Sequence, residues 1–330
     1  MRQALQAVTV GDRQAATPEG LDRRALIAGA GAVSAAALSA CDRRAQGPAS
    51  GSVLAAGQPA AVLIYALAPE RLAGWPRRPS ADGLAALPPG AARIPEVGAL
   101  TTGGRPADLE SLAALRPGLV MDYGDLQDEH AGLAARFEAR LGVRWLSLDG
   151  ALTETPQAIM HAGEALGSAR AGPLADAAAD VLARWRRAPA GPDFYYARGG
   201  DGLETAFAGA LATQVLEGAG WTNRATGGRD VGRVSREQVA AWDPEAIITL
   251  DLALARRMAS DPFWRRRRNG ARRRILRIPD APFGWIDRPP SINRLLGCLW
   301  AAGAPHAEIR TLSRLMFQGP GPAAAAEWLA

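Results

Sequence analysis

Aromatic, arginine and carboxylate side chains follow several of the predicted strands and could together bind a small molecule. A further group lies in an irregular loop before two prolines, Phe283-Gly-Trp285-Ile-Asp287-Arg288. Aromatic faces can cover a large planar or apolar molecule, and arginines can neutralise its acidic groups through paired hydrogen bonds. Clefts in α/β proteins commonly form at the carboxyl ends of strands. The candidate ligand-binding residues are Tyr65, Tyr123, Tyr196, Arg198, Glu204, Trp285, Asp287 and Arg288.

Each of these candidates also has an ordinary structural explanation. A tyrosine at a strand end can be half-buried without any ligand, and Trp285 can fill the core of a lobe. Asp287 can simply pair with Arg288. The residue types alone leave both explanations open, although Trp285 and Tyr123 are the best candidates for ligand contact.

Catalytic chemistry is not indicated by the residues that usually carry it. The chain has three histidines, and none has zinc-hydrolase spacing or lies beside a nucleophile. A Gly-x-Ser-x-Gly elbow, a phosphate-binding loop and a cysteine pair are also missing from the sequence. The acidic run from Asp125 to His130 could hold a bare metal ion, but a solvated loop is the preferred explanation. We therefore predict a protein that is not an enzyme and has no catalytic residues, metal site or cofactor.

A second pair of chemically informative residues lies in a motif that occurs twice. Residues 108–121 and 235–248 match position for position. Each copy begins with a helix-capping residue, places a glutamate in the first helical turn and stops at a proline before a short apolar strand. The two glutamates are Glu110 and Glu237. They could be ordinary surface residues, or equivalent points on two similar lobes.

The elements that position these residues alternate between strands and helices, which indicates parallel sheets. We predict strands at 60–65, 119–122, 144–148, 193–197 and 247–250, and helices at 69–73, 133–141, 173–187, 205–218 and 291–302. The fold class is α/β, with two lobes joined by one long rigid helix. We expect an N-terminal lobe at 60–168, a connecting helix at 169–189 and a C-terminal lobe at 190–330. A stiff connection predicts only a small closure of the lobes.

The N-terminus has the form of a lipoprotein export signal. Arg23 and Arg24 precede an uncharged small and apolar stretch that ends in Leu38-Ser-Ala-Cys41. The arginine pair resembles a twin-arginine signal, and the last four residues resemble a bacterial lipobox. We predict a signal at 1–41, lipidation of Cys41 and a flexible tether at 42–59. The alternative is a buried alanine-rich helix, for which the glycines and weak apolar face are unsuited.

Charge and cysteine content add further limits. The formal net charge is +5, and arginines concentrate between residues 265 and 277. Because aromatic residues are scarce there, nucleic-acid binding is not predicted. A solvated helix and turn is favoured over an anion site. With Cys41 lipidated, Cys298 is left as a core thiol, so no disulfide framework exists.

Taken together, these motifs resemble the class III periplasmic substrate-binding proteins of ABC importers. The resemblance rests on Tyr65-Ala-Leu-Ala-Pro69, Pro95-Glu-Val-Gly98, both copies of the repeat, Asn223 and the segment 283–294. It implies capture of a ferric siderophore, haem or cobalamin, so that the ligand carries iron or another metal as a chelate. It also implies that Glu110 and Glu237 dock onto permease arginines.

Several expectations about partners and location follow from that resemblance. The partners would be an ABC permease with its ATPase and a small metal chelate, and the protein would act as a monomer. It would be lipid-anchored in the periplasm or at the outer face of the cytoplasmic membrane. A metal-chelate sensor or chelatase-like enzyme with the same two lobes remains the alternative. The last 25 residues depart from the family because they lack the usual closing helix pattern.

Overall fold

A computed structural model of the chain describes residues 51–101, 105–124 and 128–329. The predicted signal, Cys41 and the first part of the predicted tether lie outside the described residues. So does residue 125, where the acidic run begins. No helix in the described ranges is both long and apolar enough to cross a membrane.

The N-terminal lobe is a three-stranded parallel sheet flanked by helices. Its strands are β1 (Val53–Ala55), β2 (Leu119–Gly124) and β3 (Arg144–Asp149), in the order β1-β2-β3. Its helices are α1 (Gln58–Leu67), α2 (Ala81–Ala85), α3 (Leu109–Ala114), α4 (Asp128–Leu141) and α5 (Thr155–Leu166). Short 3-10 turns lie at Pro69–Arg71, Pro89–Arg93 and Leu152–Glu154. All three strands point the same way, so their carboxyl ends form one edge of the sheet.

A single helix, α6 (Ala171–Trp185), follows this lobe. The C-terminal lobe then forms a five-stranded sheet in the order β10-β9-β8-β4-β6 and a separate antiparallel pair, β5 with β7. The strands are β4 (Asp193–Tyr196), β5 (Glu204–Ala206), β6 (Thr222–Asn223), β7 (Val231–Arg233), β8 (Ala246–Thr249), β9 (Arg274–Arg277) and β10 (Glu327–Trp328). The helices are α7 (Gln214–Glu217), α8 (Arg236–Trp242), α9 (Leu252–Ser260), α10 (Pro262–Arg265), α11 (Arg294–Ala301) and α12 (His306–Phe317). Only β10 runs antiparallel to its neighbour in the larger sheet.

One hydrophobic core runs through both lobes. It includes Met121 from β2, Ile248 from β8 and all of α1 from Ala60 to Leu67. Helix α6 packs against α5 of the first lobe and α11 of the second, with Leu182 and Trp185 on its buried face. The lobes therefore share buried apolar surface, which opposes their separation. The role of α6 as a rigid connection stays a prediction.

The predicted strand at 60–65 is wrong, because these residues belong to helix α1. All ten residues of α1 are buried, so the helix carries no polar face that would reveal a helical period. Pro59 sits in its first turn, where a missing amide donor costs nothing. The first strand lies earlier, at Val53–Ala55, within the segment predicted as a tether. Ordered structure thus begins before residue 60.

The predicted helix at 205–218 is also wrong over most of its length. Thr205 lies in strand β5, and only Gln214–Glu217 forms an α-helix after the 3-10 turn at Leu211–Thr213. Gly209 has a φ of 87°, a left-handed conformation that no helix continues through. The apolar residues of this segment serve a strand and a turn instead.

The arginine-rich segment is not simply a solvated helix and turn. Part of it forms strand β9, and Arg273 is 2 % exposed. The Arg273 guanidinium donates to the carbonyl oxygens of Pro244 and Phe263 and to Asp243 Oδ1. These partners compensate the burial of its charge.

The last 25 residues do contain a helix, α12 (His306–Phe317), contrary to the expectation, and strand β10 follows it. Helix α12 buries Ile309, Leu312, Met316 and Phe317. These residues follow one another at intervals of three, four and one positions, which places them on one face of a helix. The same pattern is present in the sequence, although the segment is also rich in alanine and proline.

Candidate functional site

Five of the eight candidate ligand-binding residues come together in the C-terminal lobe. Arg198 Nε donates to Glu204 Oε1 over 3.1 Å, and Arg198 Nη1 donates to Asp287 Oδ2. The Tyr196 hydroxyl donates to the same Asp287 oxygen over 3.4 Å. Arg288 follows directly in the chain. We call Tyr196, Arg198, Glu204, Asp287 and Arg288 the arginine–carboxylate cluster.

The cluster lies at the carboxyl edge of the larger sheet because its first residues lie at, or directly after, the carboxyl end of β4. Tyr196 is the last residue of β4, and Arg198 then forms an antiparallel bridge with Glu204 through two backbone hydrogen bonds of 2.7 and 3.3 Å. The turn between them contains Gly199 and Gly202, both with positive φ. This turn brings the Glu204 carboxylate back to the Arg198 guanidinium.

The second half of the cluster is held by a tight loop, residues 284–288. The Gly284 amide donates to the Arg288 carbonyl over 3.3 Å. A Cβ on residue 284 would lie 1.9 Å from the Asp287 carbonyl oxygen, so only glycine fits. Asn293 Nδ2 donates to the carbonyl oxygens of Gly284 and Pro289, which fastens both ends of the loop. The positions of Asp287 and Arg288 are therefore fixed by the backbone.

Burial and charge together set the protonation of the cluster. Burial, reinforced by the Asp287 carboxylate, raises the pKa of Tyr196 far above its usual value. Burial alone would lower the pKa of Arg198, but Asp287 and the other neighbours outweigh it and the net shift is upward. Tyr196 therefore stays neutral and Arg198 stays charged near neutral pH.

Arg288 is the member of the cluster with unused hydrogen-bond donors. Its Nε and Nη2 atoms are buried and form no hydrogen bond of good geometry with a described residue, although Arg288 lies close enough to the Tyr196 hydroxyl to lower the pKa of that tyrosine. These two nitrogens form one edge of the guanidinium plane, the edge that binds two oxygens of a carboxylate or phosphate side by side. Buried donors without partners are rare and costly in folded proteins. An acidic group could reach these two donors only after neighbouring residues move, because neither nitrogen is exposed to solvent.

Of the other three candidate ligand residues, Tyr65 and Tyr123 lie elsewhere. Tyr65, on α1, lines a separate cavity of about 460 Å³ that is also bounded by Leu72, Ile94 and Phe317. Tyr123, at the end of β2, is buried with its hydroxyl 3.4 Å from Thr155 Oγ1. These placements do not bring either tyrosine into the arginine–carboxylate cluster.

Trp285 is fully buried in this conformation. Its indole stacks on the His306 ring with 6.2 Å between centroids, and its Nε1 donates to the Ala281 carbonyl over 3.3 Å. A Cβ on Gly297 of α11 would lie 2.2 Å from the Trp285 carbonyl oxygen, so the helix and the loop are in direct backbone contact. A direct ligand role for Trp285, Tyr65 and Tyr123 stays a prediction.

Residues that the sequence analysis did not single out help to build the site. Ser291, Asn293 and Arg294 are each fully buried, and so is the Asn293 amide that fastens the 284–288 loop. A run of polar residues directly after two prolines and before an apolar helix was the available signal. Buried polar side chains require partners, and here those partners are loop carbonyl groups.

The repeated motif has equivalent structure in both lobes. Asp108 caps α3 by accepting from the Ser111 amide over 3.1 Å, and Ser235 caps α8 through a full capping box with Gln238. Hydrogen bonding with Ser235 lowers the pKa of the Glu237 carboxyl. Each helix leads into the middle strand of its sheet, β2 or β8.

The equivalence extends to the backbone before the two prolines. Arg116 has a φ of 46° and Asp243 a φ of 45°, the left-handed conformation that non-glycine residues rarely adopt. Glu110 and Glu237 are both exposed. Neither carboxylate forms an ion pair with another described residue. Both carboxylates are thus exposed, and Glu237 also hydrogen-bonds with Ser235.

The described residues contain no group of three or more His, Cys, Asp or Glu side chains arranged to hold a metal ion. Cys298 is a free, buried thiol whose pKa is raised by burial. It packs with the apolar residues of α11 in the core shared by both lobes.

The sequence matches no protein-family model and no curated protein. Solved structures do resemble the fold. An ABC transporter solute-binding protein from Sulfurospirillum deleyianum superimposes with a TM-score of 0.70 at 21% identity, covering 81% of this chain and 90% of that one.

Two proteins with known ligands resemble the chain in the same way. The molybdate periplasmic binding protein MolA of Haemophilus influenzae, solved with molybdate, gives a TM-score of 0.61 at 18% identity, with 83% of this chain and 94% of that chain covered. The periplasmic haem-binding protein RhuT from Roseiflexus gives 0.55 at 22% identity, with 76% and 99% covered. At such identities the likeness concerns the fold. This chain has the two-lobed α/β fold of the class III periplasmic solute-binding proteins of ABC transporters.

Proposed function

We propose that the protein is the solute-binding component of an ABC importer in the cell envelope. It captures a metal chelate of the ferric siderophore, haem or cobalamin type and delivers it to a permease and its ATPase. Cys41 carries the lipid that holds it at the membrane. The protein performs no chemical step, and the metal arrives within the ligand.

The unpaired edge of the Arg288 guanidinium carries this proposal. Siderophores and haem bear acidic groups, and a bidentate contact to a carboxylate is both strong and directional. Arg198 is already paired with Glu204 and Asp287. Arg288 is therefore the cluster's available cation, and the ligand's acidic group supplies the two acceptors that its Nε and Nη2 atoms lack.

The shape of the cluster supports orientation of a ligand rather than simple attraction. Asp287 and Arg198 hold the Tyr196 ring, and the Arg198 guanidinium carbon lies 5.5 Å from the centre of that ring. Pre-positioned groups of this kind reduce the entropy lost on binding. The likeness to a haem-binding and a molybdate-binding protein supports a ligand that contains a metal and carries negative charge.

The equivalent, exposed glutamates of the two lobes support delivery to a permease. Glu110 and Glu237 start equivalent helices, and each is free of ion pairs with the described residues. Paired charges across an interface fix orientation and speed encounter more than they add affinity. A permease with two matching arginines would contact both lobes at once.

The test begins with the natural ligand. The protein is purified from its own envelope fraction, and small molecules bound to it are identified by mass spectrometry. The purified protein is then titrated with haemin, a ferric catecholate chelate, cyanocobalamin and molybdate. We expect at least one chelate to bind, and Arg288→Gln to weaken it by about 1.5–3 kcal/mol, roughly a tenfold to hundredfold loss.

Two control variants distinguish the paired hydrogen bonds of the Arg288 guanidinium from the effect of its charge alone. Arg288→Lys keeps the charge but cannot bind two oxygens side by side, so its affinity should resemble that of Arg288→Gln. Arg256→Gln removes an exposed arginine of α9 and should bind normally. Binding of molybdate without any chelate would contradict the ligand class, and unchanged chelate affinity in Arg288→Gln would contradict the site.

A further inference from the structure

A second arginine in the same region is buried without any carboxylate partner. Arg294, the first residue of α11, is 0 % exposed. Its Nε donates to the Ser291 carbonyl over 3.1 Å, its Nη1 to Gln214 Oε1 over 3.0 Å and its Nη2 to the Gly150 carbonyl over 2.5 Å. No described carboxylate forms an ion pair with it. The full charge is held by neutral oxygen atoms.

These contacts connect the two lobes. Gly150 directly follows β3 at the carboxyl edge of the N-terminal sheet, whereas Arg294 and Gln214 belong to the C-terminal lobe. The Leu152 amide, in the first lobe, donates to the same Gln214 oxygen over 3.1 Å. Acceptors from both lobes thus meet around one guanidinium: Gly150 from the first lobe, and Gln214 and Ser291 from the second.

A second hydrogen bond between the lobes is formed by Ser291, near Arg294 in the chain. The Ser291 hydroxyl donates to the carbonyl of Pro59, in the first turn of α1, over 2.7 Å. Pro59 lies just beyond the carboxyl end of β1. Two buried hydrogen bonds therefore fasten the segment 291–294 to the edge of the N-terminal lobe.

Such an arrangement tolerates little change in lobe spacing. A buried guanidinium is stable only while its donors are all bonded, because an unpaired buried charge is costly. Hydrogen bonds weaken steeply once the donor and acceptor move beyond about 3.5 Å. Opening the lobes by a small distance would break the Gly150 contact and leave the charge partly unpaired.

The same segment controls Arg288. Asn293 fastens the ends of the 284–288 loop, and Ser291 and Arg294 fasten Asn293's neighbours to the other lobe. We propose that Arg294 is a positioning residue, an interlobe strut that fixes the spacing of the lobes and so holds the Arg288 loop in place. The consequence for ligand binding rests on the proposed function; the consequence for spacing does not.

The test measures lobe spacing directly in the full protein. Spin labels are attached to cysteines at Glu164, exposed on α5, and Arg256, exposed on α9, and the distance distribution is measured by pulsed electron resonance. In Arg294→Gln we expect a longer mean distance and a broader distribution. Arg294→Lys should give an intermediate result because it keeps the charge but loses the fixed fork of donors.

Val239→Ala is the matched control. Val239 on α8 is also 0 % exposed, but it belongs to a separate apolar cluster formed only by residues of the C-terminal lobe. This variant should lower the midpoint of thermal unfolding and leave the distance distribution unchanged. A purely structural role for Arg294 would give the same pattern, so an unchanged distribution in folded Arg294→Gln would overturn the proposal.

Haemin titration then separates this inference from the proposed function. If haemin binds the unaltered protein, Arg294→Gln should weaken binding and Val239→Ala should not. If haemin does not bind at all, the distance result still decides whether Arg294 sets the spacing. Normal haemin affinity in an Arg294→Gln protein whose lobes have moved would refute the link to Arg288.

Discussion

Replacing Trp285 by alanine should destabilise the fold strongly. The side chain is fully buried, stacks on His306 and donates to the Ala281 carbonyl. A buried tryptophan removes about 150–250 Å² from water, which at about 25 cal/mol per Å² is worth roughly 4–6 kcal/mol. Measured costs of such truncations are about 3–5 kcal/mol, and we expect Trp285→Ala to lower the free energy of unfolding by that amount.

The alternative is that Trp285 contacts the ligand in a conformation other than the one described. In that case the main loss would be in affinity, about 1–3 kcal/mol, while the stability would change little. The two quantities are measured separately, by urea unfolding of the ligand-free protein and by chelate titration. The comparison therefore distinguishes a core residue from a contact residue.

Trp328→Ala provides the matched control. Trp328 is 41% exposed and lies over the Arg274 guanidinium, 3.8 Å from its carbon atom to the ring centre. Its loss should cost only about 0.5–1 kcal/mol. If Trp285→Ala unfolds with a free energy within about 1 kcal/mol of the unaltered protein, the packing argument is wrong.

Two further predictions concern docking and pH. Replacing both Glu110 and Glu237 by arginine should leave chelate binding in solution unchanged but abolish uptake into vesicles that contain the partner importer. Each single replacement should reduce uptake less. Full uptake by the double variant would exclude the docking role. Because burial raises the pKa of Tyr196, the unfolded chain releases this proton first as the pH rises above about 10, so stability falls there. Tyr196→Phe should lose less stability between pH 9 and 11, and an identical pH profile would show that Tyr196 does not titrate as inferred.

Local signals in the sequence were sufficient where one segment's own chemistry decides its structure. The two repeats predicted helices α3 and α8 from capping residues, a first-turn carboxylate and a terminating proline, and both helices are capped as expected. The strands β2, β3, β4 and β8 were predicted within two residues of their ends. Capping, proline and alternating patterns act over a few residues, so they can be read without knowledge of the rest of the chain.

Helix α1 could not be assigned in this way. Its residues are apolar on every side because it is buried on every side, and a uniformly apolar run has no period. Whether such a run becomes a strand or a helix depends on what surrounds it. Surroundings also decide the structure of residues 205–213. Strand β5, which includes Thr205 and Ala206, forms where β7 pairs with it.

For the candidate site too, the sequence predicted some features and the tertiary structure decided others. The sequence identified Arg198 from its position after a strand, and Asp287 and Arg288 from the mixture of residue types in an irregular loop. Only the tertiary structure decided that Arg198 is already paired while Arg288 keeps two buried donors free. It also decided that Trp285 faces the core and that Arg294 joins the lobes. Partnership between side chains depends on distances between segments far apart in the chain, and no local pattern encodes those distances.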